Sequence, residues 1–327
     1  MTRLTALALA AIALIAMAVE PAFAAKKPTP KLGRSVVVKP AGGSVLVKQP
    51  GKKAFKLKKA TSVTMGTTFD TLKGKVSLTS KKAGKGTQTG VFSQGKFKVS
   101  QRTSDGLTDL TLTGGDLGAC AAAARAGKPI TGAASRRRRL FGRAHGRFRT
   151  RGRNSSATVR GTEWLTEDTC DGTVVKNMSP NESSKVDTAT NEIEFTLEPG
   201  QTATGYCNRF DIAPDTYCVM LLAQPDDGLI GAGIIAQTDE PTYALCVQRP
   251  DGEVGCYEYA LTERDEDGFR LGVIACPVGE AGEYFVGWSL DYKDGTPTLL
   301  DPPGALSLTL NVPGPAVDCV TQPKRAA

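Results

Sequence analysis

Short runs of Val, Phe, Thr and Leu alternate with Lys, Ser and Gly through most of the chain, and the three-to-four spacing of an amphipathic helix is scarce. In the first half the runs Val36–Val38, Ser44–Val47, Ala54–Leu57, Lys75–Thr79 and the Leu110/Leu112 alternation each predict a strand. Gly90–Val99 reads as a hairpin about Gln94-Gly95, the glycine supplying a positive φ. Only the Ala-rich Cys120–Arg125 has the composition for a helical turn or two. From Glu192 onward nine apolar runs recur every eight to twelve residues, from EIEFTL at Glu192 to ALSLTLNV at Ala305. Within TYALCVQR, Tyr243, Leu245 and Val247 alternate with Thr242, Ala244 and Cys246, as one buried face requires. The pattern predicts an all-β protein of two domains, a twisted antiparallel β module over 36–176 followed by an antiparallel β-sandwich over 188–319. Between them 177–187, NMSPNESSKVD, has the Pro, Asn and Ser composition of a linker, and 320–327 is a tail.

Two domains also suit 327 residues. The opening 1–24 has one cation at Arg3, an apolar run from Leu4 to Val19 and the small-residue pattern Ala22-Phe23-Ala24, which predicts a signal peptide cleaved after Ala24. An uncleaved anchor is the alternative, although the run is short for a span of about 20 residues. The mature protein is then expected outside the cytoplasm, secreted or wall-associated, without a membrane span. Its eight Cys fit an oxidising compartment. Cys246 and Cys256 flank the turn signal Pro250-Asp251-Gly252-Glu253, and a tight hairpin there brings them onto facing strands. Six Cys in the second half allow fifteen connectivities, of which Cys207 with Cys218, across a short loop, and Cys276 with Cys319, by elimination, complete one set.

Charge divides the chain more sharply than composition does. From Ala25 to Arg160 there are 31 Lys and Arg against 4 Asp and Glu; from Gly161 to the end there are 9 against 28. A basic arm, 25–35, leads this first body. A surplus of 27 positive charges can gather polyanions such as anionic wall polymers or membrane lipids; it can also attract the acidic half or simply keep an exported protein soluble. The densest cationic stretch is RRRRLFGRAHGRFRTRGR, with Arg136, Arg137, Arg138 and Arg139 at its start. In an extended chain Arg147, Arg149, Arg151 and Arg153 line one side while Phe148 and Thr150 face the other. Guanidinium forks suit phosphate and carboxylate oxygens, so these eight arginines are the candidate polyanion site. The competing reading is a solvated hairpin edge whose like charges discourage aggregation. One interleaved Phe is too little for a nucleic-acid platform.

Immediately beyond the ladder lies NSSATVRGTEWLTEDTC. Its Ala157, Thr158, Val159, Arg160, Gly161, Thr162 and Trp164 resemble the hallmark of FecR-like extracytoplasmic β domains, and the likeness extends loosely back through Gly66–Ser80 and Gly90–Gln101. The resemblance implies an all-β, twisted-sheet module, best known from regulators that relay iron-siderophore signals. Such a relay needs a cytoplasmic segment and a membrane span, whereas here a signal peptide leads into the β module, so only the module carries over. Within the resemblance, Cys120 and Cys170 bracket the arginines and the motif, as a disulfide tying that loop to its sheet would. Val159 and Gly161 are expected to alternate with Thr158 and Arg160, Gly161 permitting a bulge or a close approach; Trp164 is expected in the core.

No catalytic constellation stands out. The one imidazole, His145, lies among arginines with no sequence-adjacent nucleophile or acid to partner it, and no phosphate loop, HExxH or dinucleotide fingerprint occurs. Glu263–Gly268 begins like a calcium loop, but the twelfth position is Ile274, and Cys spacing gives no zinc site. Neither cofactor nor metal is expected. The sequence predicts a noncatalytic exported protein that holds an anionic envelope polymer or a surface protein. A signalling component docking onto a receptor is the second class, and a secreted hydrolase working through paired carboxylates the third.

Overall fold

The computed structural model describes residues 27–115, 117, 137–170, 172–180, 183–190 and 193–207, then Leu261, Glu263 and the strand backbones between 216 and 310. The described residues are all-β, with no helix. The Ala-rich run at Cys120 lies outside them. Thirteen strands carry the chain to the middle of the sequence: β1 (Ser35–Lys48), β2 (Phe55–Lys56), β3 (Thr61–Thr64), β4 (Thr68–Lys81), β5 (Thr87–Ser93), β6 (Lys96–Gln101), β7 (Thr108–Thr113), β8 (Arg138–Arg151), β9 (Ser156–Asp168), β10 (Thr173–Asn177), β11 (Val186–Thr190), β12 (Ile193–Leu197) and β13 (Thr202–Cys207).

Two long strands organise the first half. β4 pairs through Thr68–Asp70 with β6 and through Lys75–Lys81 with β5. One edge of β8 is likewise shared, Phe141–His145 lying against β5 and Phe148–Arg151 alongside β7. With β6 and β7 antiparallel, the ring β4-β5-β8-β7-β6 closes into a five-stranded barrel that leaves these strands no open edge. The β7–β8 contact is parallel, and it is the pairing that completes the ring.

The run Gly90–Val99 is not the hairpin that its glycine suggests. β5 and β6 do not pair; both lie on β4, from opposite ends, and Gln94-Gly95 is the corner between them. Gln94 itself takes the positive φ, 69°. Gly95 serves a close approach instead, since a Cβ there would stand 1.8 Å from the Arg139 carbonyl oxygen. The Thr71 amide and hydroxyl both donate to the Gly95 carbonyl oxygen, at 2.8 and 2.7 Å, and tie the corner to β4.

Alternation fills the barrel. Val45, Val47, Phe69, Phe92, Phe97, Leu110, Leu112, Leu140 and Phe148 are fully buried or nearly so. Phe92 is the hub, its ring 5.5 Å from Phe148, 5.8 Å from Phe97 and 6.1 Å from Trp164, the last edge-on, within the range where aromatic pairs add to area burial. Trp164 is completely buried, as expected, and its indole N–H donates to Thr150 Oγ1 at 2.9 Å.

β9 pairs with the other edge of β8 and carries the sheet outward through β10 and β13, with β11 on β9 and β12 on β11. The stretch expected as a linker is, in its described part, bonded into this sheet: Asn177 closes β10 and its side-chain amide donates to the carbonyls of Ser184 and Leu197. Beyond β13 the backbone continues as β14 (Thr216–Gln224), β15 (Leu229–Gln237), β16 (Thr242–Gln248), β17 (Val254–Ala260), β18 (Phe269–Pro277), β19 (Gly282–Ser289), β20 (Tyr292–Lys293), β21 (Thr296–Pro297) and β22 (Ala305–Leu310). β14, β15 and β18 extend the first sheet; β17-β16-β19-β22 form a second, and β20 and β21 a small ribbon.

Two glycines of the β8–β9 pair differ in what they tolerate. Gly142 lies opposite Trp164, and a Cβ would sit 2.7 Å from the indole ring. Gly161 is exposed, and a Cβ there would meet nothing nearer than His145 Nδ1 at 3.8 Å. Urea unfolding should therefore show Gly142→Ala destabilising by about 1–3 kcal/mol through overpacking, while Gly161→Ala stays within about 0.5 kcal/mol of the parent. Equal effects would mean that the indole does not pack on Gly142.

Candidate anion-binding surface

Along β8 the predicted alternation holds. Leu140, Ala144, Phe148 and Thr150 point inward, and Arg139, Arg143, His145, Arg147 and Arg151 are exposed, with Arg149 half-buried beside them. Arg153 leaves the ladder: the strand ends at Arg151, and Arg153 sits in the turn to β9, its amide donating to Asp168 Oδ1 at 2.8 Å. Arg136 lies outside the described residues.

The ladder is not free for an outside anion, because carboxylates on neighbouring strands already occupy it. The parallel register sets Asp109 of β7 beside Arg149. Arg149 grips both Asp109 oxygens, and Arg151 Nε adds a third contact at 3.0 Å. Arg147 reaches Asp105 Oδ2 at 3.0 Å, where Arg102 forms a second fork. The side-chain hydrogen bond from Arg102 holds the Asp105 carboxyl well below the usual carboxylate range; the Leu107 amide and the Arg147 charge act in the same direction.

On the other edge of β8, Arg143 pairs with Glu163 at 3.2 Å and Arg137 with Glu167 at 3.6 Å. Arg138 meets Asp168, which is completely buried, at 2.7 Å. Asp168 also accepts from the Thr173 hydroxyl, so one carboxylate joins the start of β8, the β8–β9 turn and β10. Removing one partner of such a buried pair leaves the other uncompensated, typically at a cost of 3–5 kcal/mol; the exposed pairs are worth about 1 kcal/mol or less each. Arg139 faces Glu167 in register, but Glu167 turns to Arg137, and Arg139 has no side-chain partner among the described residues.

The residues whose pattern resembles FecR-like domains lie on β9. Ala157, Val159, Thr162 and Trp164 are buried and Thr158 is half-buried, but Arg160 and Gly161 are both exposed, so the expected alternation breaks there. The break coincides with the register shift between His145 and Phe148 on β8. The glycine this irregularity needs is Gly146, at φ 117°, where a Cβ would strike Gln88 at 2.5 Å.

Of the cysteines, Cys170 is disulfide-bonded and packs with Leu117, three residues before Cys120, which lies outside the described residues. The backbone register sets Cys246 opposite Cys256 and Cys207 opposite Cys218. Cys276 faces Ile230 across β15 and β18; Cys319 is not among the described residues. Of the calcium-like loop only Glu263 is described, and it is exposed. Among the described residues no three His, Cys, Asp or Glu are grouped to hold a metal ion.

A lysine face is the feature that sequence reading missed. Sixteen Lys lie between Lys27 and Lys98 against one acid, Asp70, which pairs with Lys96 at 3.0 Å; none of the other fifteen meets a carboxylate among the described residues. Pairing brings several onto one outer face. Lys56, Leu46, Asp70 and Lys96 form one cross-strand row, and Lys48, Thr68, Lys98, Thr111 and Arg151 the next. With strands about 4.8 Å apart, the exposed Lys48 and Lys98 stand about 10 Å from each other. The signal was present: Lys48 follows buried Val47, Lys56 precedes buried Leu57, and Lys98 lies between buried Phe97 and Val99.

Models of protein families, curated proteins and solved structures were each compared with the chain, and none matches.

Because the Asp105 carboxyl titrates below its unfolded value of about 4, its ion pairs contribute stability that is complete above that pH and is lost as pH falls through the folded value. Asp105→Asn should lower stability at pH 7 and make the acid limb of the stability–pH curve shallower. An unchanged acid limb would remove Asp105 from the list of groups that set it.

Proposed function

We propose that the chain is a noncatalytic, extracytoplasmic binding protein that holds an anionic envelope polymer on the lysine face of β1, β2 and β6. The observation that carries this reading is the division of cations: the β8 arginines near β7 and β9 are mostly matched to carboxylates, whereas fifteen of the sixteen lysines from Lys27 to Lys98 meet none among the described residues. An ammonium on a flexible stem adapts to a polymer of irregular spacing, and several such contacts on one sheet release counterions together. The signal-like opening supports export. The likeness of Ala157–Trp164 to FecR-like domains and the all-β structure support reading 36–176 as such a module. The facing positions of Cys207 and Cys218, and of Cys246 and Cys256, support a second, cystine-stapled sandwich body.

Binding of long-chain polyphosphate to the mature protein, measured by titration between 50 and 200 mM salt, tests the site. The triple change Lys48→Gln, Lys56→Gln, Lys98→Gln should weaken binding about tenfold or more and reduce the log–log salt slope by about 2, at ~0.7 per contact for a single-stranded polyanion. The parallel triple Arg147→Gln, Arg149→Gln, Arg151→Gln should chiefly cost stability. If the arginine set abolishes binding and the lysine set leaves it intact, the ladder is the site. Salt-insensitive capture of one receptor protein would favour the signalling reading instead.

A further inference from the structure

A groove of about 400 Å³ opens where the chain enters β8. Its sides come from four places in the sequence: Leu72 of β4, the Gln94-Gly95 corner and Lys96, Thr113 with Gly115 at the end of β7, and Arg137–Arg139. The cations differ in commitment. Arg138 is held by buried Asp168 and also donates to the Gly114 carbonyl; Lys96 is shared with Asp70; Arg137 is 3.6 Å from Glu167. Arg139 is exposed, on the groove wall, with no side-chain partner among the described residues.

Two further features mark this place. Thr113 lines the groove, and its hydroxyl oxygen is buried without a hydrogen-bond partner, a state that is costly in a folded protein. A rotation of about 120° about χ1 carries the hydroxyl to the position that the methyl now holds and the methyl to that of the β-hydrogen, and no hydrogen bond holds the present rotamer. Gln94, also on the wall, is the one non-glycine residue with positive φ among those described, a strained conformation of the kind that collects at ligand sites.

We infer that this groove is a site for a single phosphate group. A carboxylate presents two oxygens in one plane, which one guanidinium fork satisfies. Here the donors come from separate walls: the Arg139 fork, the Arg137 fork, the Lys96 ammonium and, after rotation, the Thr113 hydroxyl. Donors converging from several sides match the three free oxygens of a phosphate monoester. Leu72, 58% exposed at the rim, offers an apolar contact to whatever the phosphate is attached to. The site shares Lys96 with the cross-strand rows of the lysine face but none of Lys48, Lys56 and Lys98, and it does not rest on that face's use. It takes one end group, whereas the face takes a chain.

Isothermal titration of the mature protein with inorganic phosphate and with glycerol 3-phosphate tests the site, and vesicles containing phosphatidic acid test a lipid source of the same group. The expected result is saturable one-to-one binding that Arg139→Gln and Thr113→Val each weaken about tenfold or more. That factor corresponds to losing one charge-assisted hydrogen bond. The Lys48→Gln, Lys56→Gln, Lys98→Gln protein should bind inorganic phosphate like the parent, which separates failure of this site from failure of the lysine face. Vesicle capture abolished by Arg139→Gln would assign the phosphate to a headgroup; phosphate binding without vesicle capture would assign it to a soluble ester. Absence of saturable binding, equal affinity in either groove variant, or loss of binding only in the lysine variant would overturn the inference.

Discussion

The parallel pairing of β7 with β8 governs both the architecture and the electrostatics. It closes the five-stranded barrel, and the same register lays Asp109 against Arg149 and within reach of Arg151. A body with very few acids thus places one of them where Arg149 and Arg151 would otherwise repel each other along β8. The free-energy logic is local: like charges two residues apart on one face destabilise a strand, and a carboxylate between them reverses the sign. β9 repeats the device on the other edge of β8 through Glu163, Glu167 and Asp168.

One consequence is a separation of roles between the two basic residue types. Guanidinium groups, with planar forks suited to fixed geometry, are used largely inside the molecule to bind strand to strand. Ammonium groups, flexible and strongly hydrated, mostly stay without carboxylate partners among the described residues, and Lys48, Lys56 and Lys98 stand together on one face of the first sheet. Net positive charge alone does not locate a binding surface, because a cation already matched at 3 Å contributes little to the field an approaching polymer meets. Arg139 is the exception on β8 among the described residues, left over because Glu167 turns to Arg137, and it lines the groove inferred to take a single phosphate.

Much of this was legible in the residues. The inward and outward sets of β8, the burial of Trp164, the strand rhythm of the second half and the facing positions of Cys246 and Cys256 all follow from period-two alternation or from a local turn. What escaped depends on pairing between distant segments. Gln94-Gly95 has hairpin chemistry, yet β5 and β6 find better partners in the two halves of β4, and the glycine is needed for contact with Arg139 rather than for its own φ. The exposed bulge at Arg160-Gly161 draws its backbone freedom from Gly146 on the neighbouring strand. Lys48, Lys56 and Lys98 form a face only after β1, β2, β4 and β6 are aligned, and no one strand announces it.

The most direct test of this account is the polyphosphate affinity of Asp109→Asn measured beside its unfolding free energy, with Asp187→Asn, at an exposed position of β11, as a control for the change in net charge. If Asp109 occupies two ladder arginines, the Asp109 variant must be less stable than the parent and must bind polyphosphate more tightly than the Asp187 variant does. Equal affinity in the two variants, with stability unchanged, would contradict the claim that internal carboxylates hold the ladder.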